Sequence, residues 1–278
     1  MPTFLERLDR ACEANQSLVC VGLDPEPSRL PVPDVLDFNK AIIDATADLV
    51  CAYKPNLSFY EALGIPGLQV LEKTVQHIRS TAPNAQLIAD AKRGDGGPSA
   101  AAYARAMFQV WDFDVVTVNP WGGGETLQPF LEDESRGVYI WCRGSYASAA
   151  DLQDLLVDSP HGKVPLYEHL ARTSLEWNGN GNVGLVVGAT VPEQLAAVRS
   201  ICPDVPFLIP GIGAQGGDLE ASVKQGTDSR GRRAVINSSR GIIFASAGTD
   251  FAEAARRATM ELRDAINRTL ESEGKGWR

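Results

Sequence analysis

The densest run of chemistry-bearing side chains is Ile88-Ala-Asp90-Ala-Lys92-Arg93-Gly94-Asp95. On a strand, residues i and i+2 share a face, so Asp90 and Lys92 are expected to project together while Arg93 turns away. A buried aspartate is costly unless paired, and the lysine supplies the pair. The plain alternative is a structural ion pair. Lys54 and Asp24, however, close two further apolar runs, and a structural pair would not need four members. An alternating group of carboxylates and ammoniums keeps each member charged at neutral pH through its neighbours.

Two other segments suit an anion. Pro210-Gly-Ile-Gly213-Ala-Gln215-Gly-Gly217 and Asn237-Ser-Ser-Arg240-Gly241 each follow an apolar run. Glycines let backbone N–H groups approach a phosphate, and Arg240 adds a permanently charged, bidentate clamp. The glycine turn alone reads equally well as a tight loop; both segments together favour a phosphorylated ligand. This is not a dinucleotide fingerprint, which belongs after the first strand of a Rossmann unit. Ser145 has no His and Asp in nucleophile-triad positions, so acyl transfer is not expected. His77, His161 and His169 lack metal-ligand spacing. Arg230, Arg232 and Arg233 read as a solvated basic loop, and Trp121, Trp141 and Trp177 as packing residues.

These side chains need a frame. Eight short apolar runs, at 18–24, 51–56, 86–93, 114–120, 137–144, 182–190, 206–213 and 233–240, read as strands, and their near-continuous hydrophobicity suits parallel strands covered on both faces. Helical periodicity separates them, for example over 35–50, 68–80 and 250–270, the last with Asp250 as its expected amino-terminal cap. The stretch at 146–164 is expected to hold a short helix. Eight such units predict an α/β fold, a (β/α)8 TIM barrel forming a single domain over 1–278. In that barrel the strand C-terminal ends carry the chemistry, and there stand Asp24, Lys54, Asp90 with Lys92, Asn119, Ser145, the 210–217 turn and Ser239 with Arg240.

The composition narrows the function. The 278 residues are 44% hydrophobic and carry a net charge of −9, which argues against broad binding to nucleic acid or an anionic membrane. No apolar stretch is long enough to span a bilayer, and residues 1–10 lack a signal-like basic and apolar pattern. The five cysteines, Cys12, Cys20, Cys51, Cys142 and Cys202, are widely spread and read as small buried hydrophobes in a reducing compartment. A cytoplasmic location is expected.

With Val21-Gly-Leu-Asp24, Tyr53-Lys54-Pro-Asn56, Asp90-Ala-Lys92-Arg-Gly-Asp95 and Pro210-Gly-Ile-Gly-Ala-Gln215 in order, the chain resembles the orotidine 5′-phosphate decarboxylase family, in its longer bacterial branch. The resemblance implies conversion of orotidine 5′-phosphate to UMP and carbon dioxide, with no metal and no organic cofactor, in a homodimer. By the same resemblance Lys92 protonates C6 of the pyrimidine, Asp90 lies against the substrate carboxylate, and Lys54 and Asp24 hold the ribose hydroxyls and the charge network. Asp95 reaches the neighbouring subunit's site, Ser99 and Ser145 meet the substrate, Gln215 bridges base and phosphate, and Gly213, Arg240 and Gly241 bind phosphate. Two segments depart from the family pattern. Gly96, followed by Gly97-Pro-Ser99, stands where a bulky aliphatic is usual, and Gly144-Ser-Tyr-Ala-Ser148 replaces a Thr-Ser-Asn-Pro-Gly pattern. Both predict reduced efficiency. Two other readings stay open: a magnesium-dependent phosphate-binding-barrel lyase or synthase with the same Asp-x-Lys-x-x-Asp element, or a UMP-binding barrel with reduced or lost catalysis. The magnesium enzymes place a carboxylate ligand near the end of strand two, where this chain has Lys54.

Overall fold

The computed structural model describes residues 2–213 and 215–277; Met1, Ala214 of the glycine-rich turn and Arg278 lie outside them. Eight parallel strands close into a barrel: β1 (Val19–Leu23), β2 (Ala52–Pro55), β3 (Gln86–Arg93), β4 (Val115–Val118), β5 (Gly137–Arg143), β8 (Val183–Val187), β9 (Phe207–Pro210) and β10 (Ala234–Ser238). The intervening β6 (Leu156–Ser159) and β7 (Gly162–Pro165) form a separate antiparallel hairpin. Closure pairs β1 with both β2 and β10, with Cys20 opposite Ala52 and Asn237. Strands β1, β4, β8 and β10 are buried along their whole length, which is why they read as unbroken apolar runs. All eight predicted strands are present, most a few residues shorter, because the polar residues at their C-terminal ends leave the ladder to face the mouth.

Local chemistry sets the helix starts. Thr3 and Glu6 form a reciprocal capping box on the helix Phe4–Asn15, and Asp34 caps Val35–Thr46. The predicted helix at 68–80 begins earlier, at Gly64, because Pro66 fits the first turn of Gly64–Thr81 instead of breaking it.

Other expectations need correction. Asp250 precedes the helix Phe251–Ser272 but makes no cap bond; its carboxylate is taken by the Ser246 hydroxyl and Arg257. The stretch after β5 holds the expected short helix, Ala150–Gln153, and also the β6–β7 hairpin, whose four-residue strands share only the half-buried pair Val157 and Val164, too little to read as a strand pattern. Only Arg230 of the basic run is well solvated: Arg232 lies over the Trp277 ring at 3.5 Å and Arg233 pairs with Asp9 at 3.1 Å. Trp121 is 78% exposed and packs little, whereas Trp177 lies against the core as expected.

At the N-terminal end of the barrel, Asp114 is buried among Arg7, Arg79 and Arg136. Its Oδ2 also accepts the Leu87 amide at 2.9 Å. This knot ties the start of β4 to the start of β3 and to two helices.

Candidate active site

At the opposite end the strands open into a cavity of about 330 Å³. Asp24 follows β1, Lys54 sits on β2, Asp90 and Lys92 on β3, and Thr117 on β4. Trp141 on β5, Ser145 beyond it, Gln215 after β9, and Asn237, Ser239 and Arg240 at and after β10 complete the wall. The walls can approach because Gly22 has no side chain: a Cβ there would fall 1.8 Å from Ser239 Oγ.

Asp90 is the hub. Its Oδ2 accepts Lys54 Nζ at 2.9 Å and its Oδ1 accepts Lys92 Nζ at 2.5 Å. Lys54 is 3% exposed, whereas the Lys92 side chain is 41% exposed and reaches into the cavity. Burial alone would raise the Asp90 carboxyl, but Lys54 and Lys92 outweigh it and hold it well below the carboxylate range. Burial would likewise lower Lys54; Asp90 and Asp24 reverse that and keep its ammonium charged. Asp24 differs: burial pushes its carboxyl up, only partly offset by Lys54 and the Ser239 hydroxyl. The expectation that neighbours keep every member charged thus describes Asp90 and Lys54, and Asp24 less well.

Asp90 and Lys92 meet as expected, but strand alternation is not the whole cause. Lys92 adopts a left-handed φ of 46°, and the β3–β4 register shifts between Ala89 and Arg93. Arg93 turns away to Glu61 and the Tyr103 ring.

The loops after β9 and β10 converge. A Cβ on Gly213 or Gly241 would meet Ser238 Oγ, at 3.7 and 3.2 Å respectively. Gly211 and Gly213 hold φ of 110° and 83°, conformations glycine adopts freely. Arg240 opens the short helix Arg240–Ile243, whose first N–H groups have no intrahelical partner. Asp24 Oδ1, Gln215 Oε1 and Asn237 Oδ1 are buried with no hydrogen-bond partner among the described residues. Buried acceptors left open call for donors on a ligand.

Asp24, Lys54, Asp90, Lys92, Ser145, Gln215 and Arg240 therefore line one cavity. Asp95, exposed on the loop after β3, and Ser99, exposed in the first turn of the helix Gly97–Arg105, do not, and neither do Gly213 and Gly241. Glu26, Phe59 and Thr117 line the cavity as well and were missed. They gave little signal, although Thr117 is the one hydroxyl in the buried run Val115-Val-Thr-Val118 and had to find a partner; Asn237 lines the cavity from the 237–241 segment read as anion-binding. Trp141 packs against the core as expected and also faces the cavity, with Lys92 Nζ 5.9 Å from its ring. Cys20 lies below the cluster, where burial pushes its thiol up to about 12, so it is no nucleophile. Among the described residues no three His, Cys, Asp or Glu side chains cluster to hold a metal ion. No helix among them is long and apolar enough to cross a membrane.

Fold and site define a (β/α)8 barrel whose mouth sets a fixed ammonium–carboxylate array beneath two converging glycine loops and an arginine. Residues 17–258 match the model of the orotidine 5′-phosphate decarboxylase / HUMPS family. The orotidine 5′-phosphate decarboxylase of Dehalococcoides mccartyi is 49% identical over 265 residues, 95% of this chain and 97% of its own length. That of Roseiflexus castenholzii is 47% identical over 276 residues, covering 97% and 99%. Among solved structures, Leishmania donovani OMP decarboxylase superposes with a TM-score of 0.84 at 36% identity, covering 96% of this chain and 99% of its own. The chain belongs to the orotidine 5′-phosphate decarboxylase family.

Proposed function

We propose that the protein converts orotidine 5′-phosphate to UMP and carbon dioxide without a metal or organic cofactor. The observation that carries this reading is Lys92 Nζ, held on Asp90 at 2.5 Å with Lys54 behind it, facing a cavity that the two glycine loops and Arg240 border. The C6–carboxyl bond breaks, its electron pair stays on C6, carbon dioxide departs, and Lys92 gives C6 a proton. The C6 pair cannot delocalise into the ring, so stabilisation must be electrostatic, from a charge fixed before the reaction begins. Asp90 faces the substrate carboxylate, Lys54 and Asp24 take the ribose hydroxyls, and Ser145 and Gln215 meet the base. Gly213, Arg240 and Gly241 hold the phosphate, whose binding energy is used to position the base.

Asp95, exposed in a single chain, belongs to the partner's site in a homodimer. Mixing inactive Lys92→Ala and Asp95→Ala chains should then restore activity, and no recovery in mixtures shown to exchange subunits would contradict it. The five free, buried cysteines suit a reducing, cytoplasmic setting. The activity itself is tested by following orotidine 5′-phosphate absorbance with and without chelator. Loss at the same rate in both supports the proposal. Loss stopped by chelator would select the magnesium-dependent reading, and UMP binding without turnover would select a barrel that has lost catalysis.

A further inference from the structure

The register of β3 against β4 contains a gap. Ala89 is opposite Val116 and Arg93 is opposite Val118, so Asp90, Ala91 and Lys92 together face the single residue Thr117. Such a bulge strips backbone N–H groups of their ladder partners, and buried donors must be satisfied elsewhere. Thr117 Oγ1 does this. It accepts the Ala91 and Lys92 amides, both at 3.0 Å, and donates to Asp90 Oδ1 at 3.1 Å. A hydroxyl has one proton and two lone pairs, so this one is saturated.

Lys92 sits at the end of the bulge with φ 46°, a backbone setting that L side chains rarely adopt. Its own amide is one of the two that Thr117 accepts, and its carbonyl accepts Asn119 Nδ2 at 3.3 Å. The side chain is part-exposed, its ammonium held at one point, by Asp90, and projecting to the cavity. The direction of Lys92 is thus set by its backbone and by Asp90, both of which Thr117 binds.

We propose that Thr117 is a positioning residue, holding the β3 bulge so that Lys92 and Asp90 keep their reacting geometry. The inference rests on the assignment of Lys92 as proton donor. Thr117 is 1% exposed, and its role is to act through Lys92 and Asp90. Oriented groups lose rate steeply with small displacements, whereas phosphate binding at Arg240, on the far wall, does not depend on the bulge.

Thr117→Val keeps the shape and removes the hydroxyl; Thr117→Ser keeps the hydroxyl. Thr117→Val should lower kcat by at least about tenfold while the KM for orotidine 5′-phosphate and the Kd for UMP stay within about threefold. Thr117→Ser should return kcat to within about threefold of the parent. Amide exchange at Ala91 and Lys92 should speed up at least about tenfold in Thr117→Val and not in Thr117→Ser. If the valine variant fails to fold, Thr117→Ala, which leaves room for water, is read by the same split. A kcat within about twofold of the parent, a parallel loss of UMP affinity, or unchanged exchange at both amides would overturn the proposal. An inactive parent enzyme would instead remove the decarboxylase reading, and the exchange rates would still decide whether Thr117 holds the bulge.

Discussion

The two ends of the barrel each bury an aspartate among cations, and they handle it differently. At the N-terminal end Asp114 gives both oxygens to Arg7, Arg79 and the Leu87 amide, with Arg136 close by. At the mouth Asp90 is equally well paired, but the group around it is left open: Lys92 is part-exposed, and Asp24, Gln215 and Asn237 each keep a buried oxygen without a partner. A charge cluster built for stability closes almost fully on itself; in the knot Arg79 Nε alone is buried without a hydrogen-bond partner among the described residues, 3.4 Å from Asp112 Oδ2. One built to hold a ligand leaves valences for the ligand to fill, and its folded state carries that cost.

Substitutions can break this contrast. The largest stability effect is expected at the closed end, where Asp114→Asn would leave three arginines facing a neutral group and should cost about 3–5 kcal/mol in chemical unfolding. A loss under about 1 kcal/mol would show that the knot is ornamental. At the open end, Arg240→Ala should weaken phosphorylated ligands by about 2–4 kcal/mol in calorimetry and hardly change unphosphorylated nucleoside. Equal losses would place Arg240 outside the phosphate site.

Asp24 sharpens the contrast through pH. Its carboxyl is raised by burial, so above the unfolded value near 3.8 the folded state binds the extra proton, and stability falls as pH rises through the folded value. Asp24→Asn should therefore raise Tm at pH ~7–8, by about 2–4 °C for each kcal/mol relieved, with the gain fading below pH ~4 while UMP binding weakens. A lower Tm at pH ~8 would mean that pairing with Lys54 outweighs burial. The smallest effect is expected at Gly96, where a Cβ meets nothing within 4 Å and φ is −88°. Tyr146 is 66% exposed, so nothing shows it filling that space. Gly96→Ile should raise kcat/KM by up to about tenfold. A fall through a clash would mean that the two loop departures compensate each other.

Much of this was legible from residue order. Strands buried on both faces cannot hide, and the polar residues at their ends marked the mouth. The i, i+2 spacing brought Asp90 and Lys92 together correctly, yet it could not show the bulge, because register depends on β4. Thr117 was invisible for the same reason: a β-branched residue in a buried run reads as strand filler until its hydroxyl is seen to replace ladder bonds. Trp141 occupies a strand position whose inward direction composition does not reveal. The β6–β7 hairpin and the uncapped Asp250 escaped because their partners, Pro165 across the hairpin and Arg257 two turns on, are chosen by geometry rather than by local propensity.

Lys92 belongs to the reaction and not to the scaffold, and one paired comparison tests this. Turnover of orotidine 5′-phosphate and Tm should be measured on Lys92→Ala beside Asp114→Asn. Lys92→Ala should retain less than about a tenth of parental kcat, a barrier increase above about 1.4 kcal/mol, with Tm and UMP affinity nearly unchanged, while Asp114→Asn should lose Tm and keep kcat when folded. A Lys92→Ala enzyme that keeps more than about a tenth of its turnover, or one that loses Tm as Asp114→Asn does, would contradict it.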